Sequence, residues 1–182
     1  MKRLRLWLAA FGLIAVVFAP AVASASVNDF TITNFQSDQT LSRNDPQGQL
    51  NIVERINVHY DDYNHGILRA IPKSYKNHSL QIKVNSIKSD TGAPTQFTTY
   101  TSNGNTVLKI GSPSRTITGD QEYTINYTVN NVIGFYQDHD ELYWDVNGDQ
   151  WSQPFDKVSV NLDLPSGLTQ SEAPACYTGS FG

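Results

Sequence analysis

Between Asp138 and Trp151 the chain reads Asp-His-Asp-Glu-Leu-Tyr-Trp-Asp-Val-Asn-Gly-Asp-Gln-Trp, a stretch whose acids, amide and indoles are spaced for several chemistries. Asp145, Asn147 and Asp149 stand at alternate positions, as at the start of a calcium loop, with Asp140 close enough to join them. A helix–loop–helix calcium site wants Gly at the sixth position and a bidentate Glu at the twelfth. Counted from Asp145, the Gly comes at the fourth position, Gln150 holds the sixth and Asp156 the twelfth, and no helical pattern flanks the loop. Asn147-Gly148 is also the residue pair of a type I′ hairpin turn, whose two central residues need positive φ. A turn between two Trp-bearing strands is the preferred reading. No metal or other cofactor is expected, and Asp140, Asp145 and Asp149 are the residues that would serve if one were bound.

Two further chemistries fit the same stretch. Asp138, Asp140 and Glu141 could supply the acid and base of a glycosidase-type hydrolase, because neighbouring carboxylates push each other's pKa values apart. That needs the three to converge in a cleft, whereas a charge run between strands is ordinarily solvated. Tyr136, Tyr143, Trp144 and Trp151 beside acids would suit a secreted carbohydrate-binding module, with calcium assistance, although sheet packing accounts for such aromatics as well. Arg69 stands apart, in the apolar run Ile67-Leu68-Arg69-Ala70-Ile71-Pro72. A charge in that company calls for a buried partner, and Glu54 and Glu141 are the available carboxylates. Neither a G-x-S-x-G elbow, a phosphate-binding Gly loop nor a zinc-type Cys/His spacing occurs.

The elements that must position these residues are strands. Apolar residues alternate at period two in runs bounded by Gly, Pro, Asn, Asp and Ser. The clearest run, Gln49 to Tyr60, puts Leu50, Ile52, Glu54, Ile56, Val58 and Tyr60 on one face. Others are Phe30–Phe35, Leu80–Ile87, Phe97–Thr101, Thr106–Ile110, Tyr123–Asn130, Leu142–Val146 and Val158–Leu164. Gln36–Gly48 and Asp61–His78 read as longer loops. Some eight short strands predict an all-β fold, an antiparallel sandwich of immunoglobulin or fibronectin type. Tyr123, four residues after Gly119, has the spacing of a tyrosine corner, whose phenol bonds back to upstream backbone. Asn77-His78-Ser79 and Asn126-Tyr127-Thr128 match the glycosylation pattern, the second inside an expected strand.

The N-terminus carries Lys2, Arg3 and Arg5, an apolar run from Leu6 to Phe18, Pro20 and the small residues Ala23-Ser24-Ala25. This is the layout of a secretory signal peptide over 1–25, leaving residues 26–182 as one domain. The 182-residue chain has 13 basic and 17 acidic residues; without the three cations of the signal, 10 stand against 17, a net of −7. That balance lacks the basic footprint of a nucleic-acid binder and gives no attraction to anionic lipid. Cys176 is the only cysteine. In a secreted protein it reads as a free thiol, an intermolecular bridge or half of a pair whose partner is missing, and the chain reads as a fragment of a longer one.

Several motifs in order resemble one family. They are Val53-Glu54-Arg55-Ile56-Asn57-Val58, then His65 to Pro72, then Ile117-Thr118-Gly119 with Tyr123 to Tyr127. Glu141 to Gly148 with Trp151, Leu164-Pro165 and Cys176-Tyr177-Thr178-Gly179 complete the set. The sequence resembles the bacterial predicted membrane proteins that carry domain of unknown function 2207, over about Ile32 to Gly182. The resemblance implies an extracytoplasmic N-terminal β domain followed by transmembrane helices. It also implies a second Cys just beyond the present end, making Cys176 half of a small-loop disulfide. No catalytic residues carry over. Glu54, Arg69, Tyr123, Glu141, Trp144, Trp151 and Cys176 form the structural signature. The expected role is a non-enzymatic envelope domain that binds a protein or envelope partner, touching the membrane only through a downstream anchor.

Overall fold

The computed structural model describes residues 29–76, 78–168 and 170–179. The expected signal peptide over 1–25 and Asn77 of the first glycosylation pattern lie outside the described residues. Strand β1 is Thr31–Ser42, β2 Gln49–Asn64, β3 Gly66–Pro72, β4 Ser74–Tyr75, β5 His78–Ser79 and β6 Gln81–Lys88. Then follow β7 Phe97–Ser102, β8 Asn105–Gly111, β9 Ile117–Asn130, β10 Ile133–Phe135, β11 Asp140–Leu142 and β12 Val158–Asp163. Among the described residues there is no helix, and the protein is all-β. No helix among them is therefore long and apolar enough to cross a membrane.

Strand β2 is the centre of the molecule because its alternation is the most complete. Leu50, Ile52, Glu54, Ile56, Val58 and Tyr60 are all buried, while Arg55 and His59 on the opposite face are exposed. Paired antiparallel with β1 on one side and β9 on the other, β2 sits mid-sheet in the order β12-β1-β2-β9-β6. A smaller sheet, β3-β8-β7, lies over the same apolar face. Ile67, Ile71, Leu108 and Ile110 from that sheet join Ile52, Ile56, Tyr123 and Ile125 in one cluster. Burying each aliphatic side chain of this kind contributes about 1.5–3 kcal/mol, so the shared cluster holds the two layers together. Hairpins β4–β5 and β10–β11 stand beside them.

Four expectations are corrected. Strand β12 runs parallel to β1, so the larger sheet is not purely antiparallel. Gln36–Gly48 is not all loop, since β1 continues to Ser42, and Asp61–His78 contains the end of β2 and the whole of β3. Tyr123 is not at a strand start but inside β9, which runs through Gly119, and its phenol lies 3.4 Å from the Tyr60 hydroxyl rather than on upstream backbone. Finally, Leu142–Val146 is not a strand beyond Leu142, and Asn147-Gly148 is not a type I′ turn, because Asn147 has no positive φ. That geometry occurs instead at Asn103-Gly104, with φ of 47° and 74°, between β7 and β8.

Candidate functional site

The inner face of β3 presents Ile67, Arg69 and Ile71, so the alternation that builds the strand also drives a guanidinium into the core. Arg69 is 0% exposed, and so is Glu54 on β2 opposite. The pair is bidentate: Arg69 Nε donates to Glu54 Oε2 at 2.8 Å, and Nη2 donates to Oε1 at 2.7 Å. The Tyr127 hydroxyl, from the inner face of β9, donates to Glu54 Oε1 at 2.6 Å. The remaining guanidinium hydrogens go to main-chain carbonyls. Nη1 donates to Ala70 O at 2.6 Å and Asn147 O at 2.9 Å, and Nη2 donates to Val146 O at 3.1 Å. A guanidinium has five N–H donors, and here five acceptors meet them. The Phe35 ring completes the enclosure, 5.6 Å from the guanidinium carbon.

Burial works against the charge of Arg69, but the adjacent Glu54 carboxylate outweighs it and holds the guanidinium above its ordinary pKa. Burial also raises the Tyr127 phenol, and the Glu54 charge raises it further, so the hydroxyl stays a donor. The cluster is an internal fastening closed to solvent.

What it fastens is the stretch from 143 to 154, which carries no strand pairing of its own. Asp145 Oδ1 accepts there from Gly148 N at 3.0 Å, which tightens the bend. Trp151 Nε1 donates to Asn147 O at 2.7 Å, adding a second donor to the carbonyl that Arg69 holds. Gly148 has φ +78°, and a Cβ there would stand 2.8 Å from Arg69 Nη1. The strap therefore closes on Arg69 only because its bend residue has no side chain. Phe155 packs edge-on to both Trp151 and Phe35, at 5.8 and 6.0 Å between centroids, so the strap is anchored by apolar contact as well.

The acidic residues go elsewhere. Glu141 does not pair with Arg69, as one alternative had it; its Oε2 accepts from Lys76 Nζ at 2.9 Å on the surface. Lys76 also donates to the Tyr136 hydroxyl at 2.7 Å and lies over the rings of Tyr75 and Tyr136. The bond to Tyr136, then that to Glu141, raises the Lys76 pKa, and Lys76 lowers that of Glu141. Asp138 pairs with the adjacent His139 at 2.8 Å, and Asp149 accepts from the neighbouring Gln150. Asp138 and Glu141 are thus each engaged by a separate partner. Among the described residues no three His, Cys, Asp or Glu side chains gather around a common point, Asp140, Asp145 and Asp149 included. Trp144 packs against the core with its indole N–H buried and unpaired, and Cys176 is exposed with a free thiol.

Sequence reasoning missed Tyr127 and Lys76. Tyr127 had a usable signal, because it falls on the inward parity of Tyr123, Ile125 and Val129, where a phenol must find an acceptor. Lys76 had none, since its partners come from a hairpin some sixty residues away.

No curated protein matches the chain. Two solved structures share part of its shape. Native leukotriene A4 hydrolase from Saccharomyces cerevisiae aligns with a TM-score of 0.48 at 10% identity, over 75% of this chain and 24% of that one. A mutant two-domain M1 zinc metallopeptidase bound to L-arginine aligns with a TM-score of 0.46 at 12% identity, over 80% of this chain and 37% of that one. The chain thus spans well under half the length of either enzyme. The family model for the N-terminal domain of predicted membrane proteins, domain of unknown function 2207, matches residues 31–178, and the chain belongs to that family.

Proposed function

We propose that this is a non-enzymatic, extracytoplasmic β domain of a membrane-anchored protein, with a binding or assembly role at the cell envelope. The observation that carries the reading is the sealed state of its buried polar cluster. Arg69 and Glu54 are 0% exposed, with every guanidinium N–H engaged by protein acceptors. Such a cluster fixes architecture and offers nothing to a substrate. Outside it, Asp145 and Trp151 bond within the strap, and exposed aromatic rings supply a surface suited to contact.

Cys176 supplies the test, because it is the only cysteine and is exposed. The full-length protein, with any cysteine beyond Gly182 replaced by Ser, is expressed in its host and treated with a membrane-impermeant maleimide. Labelling of Cys176 in intact cells is the expected result. Labelling only after lysis would place the domain inside and overturn the proposal.

A further inference from the structure

We propose that the corner between hairpins β4–β5 and β10–β11 is a binding site for an uncharged saccharide; this rests on the extracytoplasmic binding reading above and names its ligand class. A pocket of about 360 Å³ opens there, lined by Gln47, Lys76, His78, Asn131, Phe135 and Tyr136 among others. Phe135 is 59% exposed and Tyr136 42%, so two large rings reach solvent at its rim, with one face of Tyr136 covered by His139. Uncovered aromatic groups concentrated beside a pocket mark a contact surface.

The corner is also pre-ordered. Lys76 Nζ ties Tyr136 to Glu141, Tyr136 stacks on His139 at 4.9 Å, and Tyr75 stacks on Tyr143 at 4.2 Å and 6° between planes. Its backbone is held away from the common conformations. Among the described residues, three other than Gly have positive φ: Lys76 at 48°, Asn131 at 64° and Asn103 at 47°. Asn103 serves the β7–β8 turn, and the other two line this pocket. A Lys in the left-handed region is uncommon, and held strain of this kind clusters at sites of function.

The chemistry selects the ligand. A pyranose ring has an apolar C–H face and a rim of hydroxyls. The face of Phe135 and the side of Tyr136 turned away from His139 suit the first, and aromatic burial of this kind carries most of the affinity. The second needs amide and imidazole groups with capacity to spare. The Gln47 side-chain amide has no protein partner among the described residues. His78 uses Nδ1 toward Asn131 O at 3.1 Å, which leaves Nε2, and Asn131 spends Nδ2 on Ser79 O at 2.7 Å, which leaves its side-chain oxygen. The Lys76 charge is matched by Glu141, and Asp138 and Asp140 stand close by in sequence. With no surplus of positive charge, the corner does not favour a phosphate or a uronic acid.

The test uses the purified chain with amylose, cellulose and chitin as solid polymers, and titration with the matching hexasaccharides. Retention on at least one polymer is expected, with binding to its hexasaccharide at least about tenfold weaker in Phe135→Ala and Tyr136→Ala, the loss that removing one stacked ring brings. Tyr136→Phe keeps the ring and most of the affinity. Tyr100→Ala, at an exposed aromatic on β7, leaves binding unchanged. Thermal melts of every variant separate lost binding from lost folding. No retention on any polymer overturns the proposal, as does binding that survives both alanine variants, or capture of a proline-rich peptide in place of the glycans. If Cys176 is labelled in intact cells while no glycan is held, this inference falls and the extracytoplasmic reading stands.

Discussion

Replacing Arg69 by Ala removes the fastening and leaves its acceptors in place. The Glu54 carboxylate, 0% exposed, is left with the Tyr127 hydroxyl as its remaining donor. Breaking a buried ion pair from one side costs about 3–5 kcal/mol, because the surviving charge stays desolvated. The carbonyls of Ala70 and Val146 also lose their Arg69 donor, at roughly 1 kcal/mol each where water does not replace it. The sum, about 5–7 kcal/mol, reaches into the range of the total stability of a natural domain. Urea unfolding followed by Trp fluorescence measures it, since Trp144 and Trp151 both lie in the strap. The variant should be strongly destabilised or unfolded. A triple variant, Arg69→Met with Glu54→Leu and Tyr127→Phe, removes the charges and the orphaned hydroxyl together and should fold, because apolar replacement of a buried pair is often neutral. A loss below about 1 kcal/mol in Arg69→Ala, the scale of an exposed pair, would refute the reasoning.

Other perturbations test the same architecture. Gly148→Ala places a Cβ against Arg69 at positive φ and should cost about 1–3 kcal/mol in urea unfolding; a neutral effect would show that the strap is not pressed onto the guanidinium. Trp151→Phe loses the 2.7 Å bond to Asn147 O, whereas Trp144→Phe loses no hydrogen bond, so the first should destabilise by about 1 kcal/mol more than the second in paired melts. Burial raises the phenols of Tyr60, Tyr123 and Tyr127 above their ordinary value of 10.0. The folded protein thus keeps protons that the unfolded chain releases, and stability is full below about pH 10 and falls as pH rises beyond it. Phenolate absorbance should show Tyr60, Tyr123 and Tyr127 titrating only with unfolding, and titration of these three in the folded protein would contradict their burial.

Most of the larger sheet was legible because its alternation is made by aliphatic and aromatic residues, as in β2, β6, β9 and β12. Strand β3 was not, and Arg69 is the reason. Its inward triplet is Ile67–Arg69–Ile71, so the residue that should have marked the buried face was a charge, and the segment looked like an apolar turn. The acid on β2 was visible as Glu54, on an otherwise apolar face, and one of the two expected pairings for Arg69 is the one the structure holds. The strap misled for the opposite reason. Asn147-Gly148 has the composition of a hairpin turn, but the residues from Tyr143 to Val146 have no partner strand to make a hairpin with, and composition does not reveal a missing partner. The Lys76 corner joins two hairpins by side chains alone, which no local pattern can record.

The five donors of Arg69 divide their work unequally, and that division explains why an ion pair occupies this place. Two bonds neutralise Glu54, which an aliphatic pair could replace at little cost. Three bind carbonyls, and two of those belong to the strap, at Val146 and Asn147. A segment lying on a core without strand pairing carries carbonyls that need donors or must stay in water. Arg69 brings such donors to the surface of the core, and Glu54 with Tyr127 makes it affordable to keep a cation there. The triple apolar variant separates the two roles. If the strap depends on the donors, the variant keeps the sheets but loses protection of the strap amides to hydrogen exchange, while the β2 and β9 amides stay slow. If the ion pair served the sheets alone, both sets would change together.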